Sequence, residues 1–178
     1  MLENYEIDLK TIESDDVNFS YSLDDSFFTD IEAQDISSGH VDAQVRVIKK
    51  TASFELHLHV DGSVTIQCDR CLDDMNQPIE ADSILKVKFG PSYLDEGDDL
   101  IIVPEDEGKI NVAWFLYEII ALSIPIQHTH ASGECNEEMM KILKEHSGQN
   151  ISDEDVVVTK DNEVDPRWKD LKKLINNN

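Results

Sequence analysis

Apolar and polar residues alternate along the first half of the chain. Val17, Phe19, Tyr21 and Leu23 are separated by polar residues, and this period of two marks a strand with one buried face. Phe27, Phe28 and Ile31 follow Asp24-Asp25 and read as a short helix or turn. Val41, Ala43, Val45 and Val47 form a second strand, with Asp42, Gln44 and Arg46 on its other side. Phe54, Leu56, Leu58 and Val60 form a third, opposite Glu55, His57 and His59. Asp61-Gly62 is a two-residue hairpin signal, because glycine accepts the positive φ of such turns. Val64, Ile66 and Cys68 then make a fourth strand, and Ile79 to Phe89 a fifth, ended by Gly90-Pro91. Alternation this regular predicts an antiparallel meander with one wet face rather than a parallel sheet. Barrel-like closure is one way for such a meander to protect its edges.

The pattern then changes. Segment 92–109 is rich in aspartate and glutamate and reads as an exposed acidic loop around one short strand, Leu100-Ile101-Ile102-Val103. Asn111 suits a helix N-cap, since its side-chain oxygen can accept from a free amide. Val112 to Leu122 is apolar nearly all round, which predicts a helix buried in the core. Glu137 to His146 reads as a surface helix, and 148–165 as a mobile acidic segment. Asp165-Pro166 opens a last short helix with Trp168, Leu171, Leu174 and Ile175 on one side. The expected fold class is α+β: an antiparallel meander, a buried apolar helix and short C-terminal helices, in one domain over 1–178.

Length and composition agree with that picture. The 178 residues are 40% apolar and 7% aromatic, enough for one core built mainly from aliphatic side chains. The formal charge is −23, from 15 basic and 38 acidic residues. A body this acidic repels nucleic-acid phosphate and attracts basic proteins or cations, or simply stays solvated. The N-terminus has neither a basic region nor an apolar one of the signal-peptide kind. The apolar run 112–122 falls short of the roughly 20 residues a bilayer requires. A cytoplasmic protein without membrane contact is expected. Three cysteines, an odd number, argue against a disulfide framework there.

The candidate chemistry lies at Cys68-Asp69-Arg70-Cys71. Two thiolates at this spacing on a tight turn suit tetrahedral zinc. The loop holding His128, His130 and Cys135 can supply the rest, giving Cys68, Cys71, Cys135 and one of the two histidines. The alternative is three reduced thiols, with Cys68 in the sheet core. No glycine follows Cys71, as one commonly does in zinc knuckles. A thioredoxin-like redox pair fits less well, because a strand rather than a helix follows. Glu118, the single charge in the apolar helix, either pairs with Arg70 or faces solvent; a buried carboxylate requires a partner. His57 and His59 share a strand face and read as solvated. Arg167, Lys169, Lys172 and Lys173 form the one basic cluster, which either touches RNA or accompanies the docking of Trp168 on the acidic body. There is no phosphate loop and no Ser/His/Asp set.

These segments resemble the YceD family, the large ribosomal RNA subunit accumulation proteins. The likeness is carried by Cys68-Asp69-Arg70-Cys71, by the apolar helix with Glu118 and Pro125, by the His loop to Cys135, and by Asp165-Pro166-Arg167-Trp168 with its following leucines. It covers roughly residues 40–175. The resemblance implies a ribosome-biogenesis role in accumulation of large-subunit ribosomal RNA, without known catalytic activity. It also implies that a zinc site belongs to the cysteine-rich members and is dispensable for the family role. The expected partner is a basic ribosomal protein or a large-subunit precursor, with direct RNA binding disfavoured. The competing class is a zinc-dependent enzyme acting on RNA.

Overall fold

The computed structural model describes residues 2–95, 97 and 99–147. Two compact units divide the chain, Met1–Asn136 and Glu137–Asn178. In the first, eight strands run in chain order: β1 Glu6–Asp8, β2 Asp16–Leu23, β3 Ser38–Lys49, β4 Phe54–Gln67, β5 Asp74–Gly90, β6 Leu94–Asp95, β7 Leu100–Pro104 and β8 Lys109–Asn111. Helix α1 spans Asp25–Asp30 and α2 spans Ala113–Ser123. In the second unit, the described residues form α3, Glu137–His146. Its acidic first turn, Glu137 and Glu138, and basic last turn, Lys144 and His146, complement the helix dipole.

The main sheet has six strands in the order β2-β3-β4-β5-β7-β6. Strands β2 to β5 form the expected antiparallel meander. The sheet is open, ending at β2 and β6, and no barrel closes. One face buries Val41, Val45, Leu56, Val60, Val87 and Val103. Against it lie α2, over β4 and β5, and α1, over β2 and β3. Ile7, Leu9 and Ile12 of the N-terminal segment join the same core. The other face carries Arg46, His59, Asp82 and Lys86, all exposed or half-buried.

Five expectations are corrected. Asp61-Gly62 is not a turn. It lies inside the continuous strand β4, with Gly62 opposite both Val41 and Ile79. The β3–β4 turn is instead at Lys50–Ser53, where the Lys50 amide donates to the Ser53 carbonyl at 2.8 Å. Gly62 is required by close approach: a Cβ there would collide with the His40 carbonyl oxygen and lie 2.7 Å from Val41 Cα.

The second correction concerns 92–109, which is no simple loop. Its chain passes to the sheet edge as β6, turns at Gly97 and Asp99, whose φ values are 71° and 58°, and returns as β7. The third is that β7 pairs with β5 in parallel, Val87 opposite Ile101, so the sheet is not wholly antiparallel. Ile101 and Val103 are buried there. The fourth is that α2 is buried on one side only. Ala113, Leu116 and Ile120 face the core, while Trp114 and Leu122 are 58% and 78% exposed. The fifth is that the N-cap of α2 is Val112 rather than Asn111, which ends β8 one residue earlier and accepts from the Ala113 amide with its Oδ1 at 2.9 Å. The segment 148–165 and the terminal helix expected after Asp165 lie outside the described residues.

Candidate metal centre

The centre forms where β4 runs out of partners. Beyond Gln67 the chain turns through Cys68–Cys71 before rejoining the sheet as β5. The Leu72 amide donates to the Cys68 carbonyl, and the Cys68 amide to the Asp73 carbonyl, both at 2.9 Å. The turn thereby closes on itself with both thiols inward, Cys68 0% and Cys71 1% exposed. Leu72 holds a φ of 63°. That is the left-handed position a glycine occupies in comparable cysteine turns, so the conformation is present without the residue that usually signals it.

The loop after α2 is stapled onto this turn. The Asp69 amide donates to the His128 carbonyl at 2.9 Å. The His128 amide donates back to Asp69 Oδ2 at 2.8 Å. The His128 ring stays outside the cluster: its Nδ1 donates to the Pro125 carbonyl at 3.0 Å, and its Nε2 lies 3.4 Å from Asp69 Oδ1. His130, two residues on, reaches in. Its Nε2–H donates to the Asp74 carbonyl at 3.2 Å, and this turns Nδ1 toward Cys71 Sγ at 3.3 Å. Asn136 then donates to Asp73 Oδ2 at 3.0 Å and holds the end of the loop that carries Cys135.

The donor atoms of Cys68, Cys71, His130 and Cys135 all lie within 4.8 Å of one another. In a tetrahedron with Zn–S bonds near 2.3 Å the thiolates stand about 3.8 Å apart. A small contraction would therefore seat an ion. The surroundings fit one. The Arg70 amide donates to Cys68 Sγ at 3.4 Å, and a backbone carbonyl fixes the His130 tautomer, as outer-shell groups do around zinc.

Charge in the cluster is unevenly shared. Burial pushes the Cys68 thiol up, but hydrogen bonds from the Cys71, His130 and Arg70 amides outweigh it and bring it down to about 6. Hydrogen bonding to Cys68 raises His130 above the usual imidazole range. Burial pushes Cys135 up, and its contacts with Cys71 and Cys68 add to that. A lowered thiol beside a ring nitrogen, with the other thiols close by, is a donor set of the kind a divalent ion binds.

The Arg70–Glu118 pair is corrected. Both residues are exposed, and among the described residues no ion pair joins them. Glu118 lies on the outward stripe of α2 with Trp114 and Leu122, so it never needed a buried partner. His57 and His59 are on the open sheet face, where His59 Nδ1 meets Asp82 Oδ1 at 2.8 Å. Sequence reasoning missed the parts played by Asp69, Leu72 and the Asp74 carbonyl. Only Leu72 had a readable signal, as the residue directly after Cys-x2-Cys.

An open, mainly antiparallel sheet, with a thiol-rich cluster of four donors that could hold a metal ion at the end of its central strands, defines an α+β protein with a candidate Cys3His site. The chain belongs to the YceD family: the family model described as "Large ribosomal RNA subunit accumulation protein YceD" matches residues 56–175. That stretch starts at Leu56 in β4 and contains all four donors. The chain is also similar to "Uncharacterized protein YlbN" of Bacillus subtilis (strain 168), 31% identical over 143 residues, which span 79% of this chain and 76% of that relative. No solved structure matches the chain. Among the described residues no helix is long and apolar enough to cross a membrane.

Proposed function

We propose that this chain is a non-enzymatic ribosome-biogenesis factor that supports accumulation of large-subunit ribosomal RNA. In this reading it binds a basic ribosomal protein or a large-subunit precursor, in the cytoplasm. The family match carries the biogenesis part of the proposal. The four-donor set supports a structural rather than a catalytic role, because Cys3His around zinc fills every tetrahedral position. A catalytic site would hold three protein ligands and keep the fourth position for water. Bound zinc would supply folding energy by tying the β4–β5 turn to the loop after α2. The chain's own residues do the positioning: Asp69 and His128 join the two segments, and Asp74 orients His130. The charge of −23 supports a basic protein as partner over naked RNA.

The test is deletion of the gene followed by quantification of mature large- and small-subunit ribosomal RNA. Loss of the large-subunit species alone, restored by the wild-type chain, is the expected result. Unchanged ratios would sink the proposal. Capture of a tagged chain should enrich large-subunit proteins or their precursors. Restoration that fails specifically when a metal-bound water is blocked would favour the enzyme instead.

A further inference from the structure

Beside the metal centre the chain forms a groove of about 710 Å³. One wall is the connector between α1 and β3, with Glu32, Ala33 and Asp35. The facing wall is the cysteine turn, with Asp69, Leu72 and Asp74. Phe28 and Ile36, 2% and 3% exposed, close it from beneath. The groove's rim therefore carries four carboxylates, and among the described residues its lining includes no lysine or arginine. Three of the chain's cations pair away from the groove, Arg46 with Asp16, Lys50 with Glu55 and Lys109 with Glu6, and the exposed Arg70 of the cysteine turn is not among the residues that line it. Leu72, 58% exposed, presents an apolar side chain between the acids. Glu32 and Leu72, from opposite walls, have φ values of 56° and 63°, a conformation such residues seldom adopt.

This combination has a definite complement. A lysine or arginine can lay its methylene stem on Leu72 and Ala33 and place its charged head among the carboxylates. Phosphate would meet four carboxylates against the single ring of His128, whose Nε2 already lies 3.4 Å from Asp69 Oδ1. The volume lies in the range that holds several side chains of a bound segment. We propose that the groove docks an extended lysine- or arginine-rich segment of the partner protein, with the metal centre holding one of its walls. This rests on the reading of a basic protein partner given above, and adds the place where that partner is held.

Acidity alone would attract any basic peptide, so the test separates place from charge. The full-length, zinc-loaded chain is titrated with a fluorescent peptide of alternating arginine and leucine. One variant carries Glu32→Gln, Asp35→Asn and Asp74→Asn. A control carries Asp42→Asn, Asp61→Asn and Glu80→Gln, an equal number of exposed acids in one row across the open sheet face. The groove variant should weaken binding about tenfold, and the control by less than about twofold. Leu72→Asn keeps a residue that accepts the left-handed backbone, so zinc content should hold while affinity falls. Equal weakening by groove and control variants, or full affinity in Leu72→Asn, overturns the groove. In cells, full restoration of ribosomal RNA by the groove variant overturns the groove alone. No effect of the deletion itself overturns the function on which it rests.

Discussion

His130 divides two tasks between its ring nitrogens: Nε2 meets the Asp74 carbonyl at 3.2 Å, and Nδ1 faces Cys71 Sγ at 3.3 Å. Cys68 is already largely ionised at neutral pH, since its thiol is brought down to about 6. His130, raised by that thiolate, holds its proton longer than a free imidazole. Zinc requires a neutral ring and ionised thiols, so binding competes with protons, which His130 and Cys135 both hold more tightly than free groups do. Affinity must therefore rise with pH, and fall more steeply below about 6 where Cys68 also gains a proton. A chelator competition between about pH 6 and pH 8 should show this slope, and a flat profile would refute it. Elemental analysis should find zinc in the wild type and little in Cys71→Ser or His130→Ala. Glu118→Gln, by contrast, should leave the melt within about 0.5 kcal/mol of wild type, because the side chain faces water. A clear drop in its melting temperature would mean that Glu118 has a partner after all. The cysteines were legible from spacing alone. The choice of His130 over His128 was not, because it depends on a carbonyl in β5 that no side-chain pattern encodes.

At the scale of elements, the pattern of even positions decides more than the turn residues do. Phe54, Leu56, Leu58, Val60, Val64 and Ile66 keep one parity straight through Gly62, which is what an unbroken strand requires. A two-residue turn at Asp61-Gly62 would set Val60 opposite Ser63 and turn Val64 outward. The dipeptide was therefore the weaker signal, and the glycine serves close packing against β3. Gly62→Ala should cost about 1–3 kcal/mol or more, since backbone atoms cannot give way as side chains do. For a chain of this size that lowers the melting temperature by roughly 2–12 °C. An unchanged melt would mean that β3 and β4 can separate locally. Helix α2 shows the opposite limit of pattern reading. Its sequence is apolar on every side, so nothing in it separates the core-facing Leu116 and Ile120 from the exposed Trp114 and Leu122. Strands β1 and β8 escape notice because three residues each are too few to display a period. They are joined by register, Ile7 opposite Ile110, and by Lys109 Nζ at 2.7 Å from Glu6.

For the whole molecule the governing quantity is its charge of −23. Within the first unit the acids are spread over many elements, from Asp16 on β2 to Glu80 on β5 and Asp95 on β6, so the field is not confined to one patch of the sheet. Such a field speeds encounter with a basic protein and slows encounter with RNA, and salt weakens both effects. Association with a basic large-subunit protein should therefore slow as salt rises, with most of the change in the on-rate. Neutralising Asp95, Glu96, Asp98 and Asp99 together should weaken that binding and flatten its salt dependence. If the chain instead binds RNA through Arg167, Lys169, Lys172 and Lys173, the same neutralisation should strengthen binding. Alanine at those four basic positions should then abolish it. Titrations with ribosomal RNA fragments, run beside titrations with purified ribosomal proteins across a salt series, give opposite signs for the two cases. Tight binding of RNA by the isolated chain at physiological salt would overturn the protein-partner reading, because it would require the basic cluster to overcome the field of the entire acidic body.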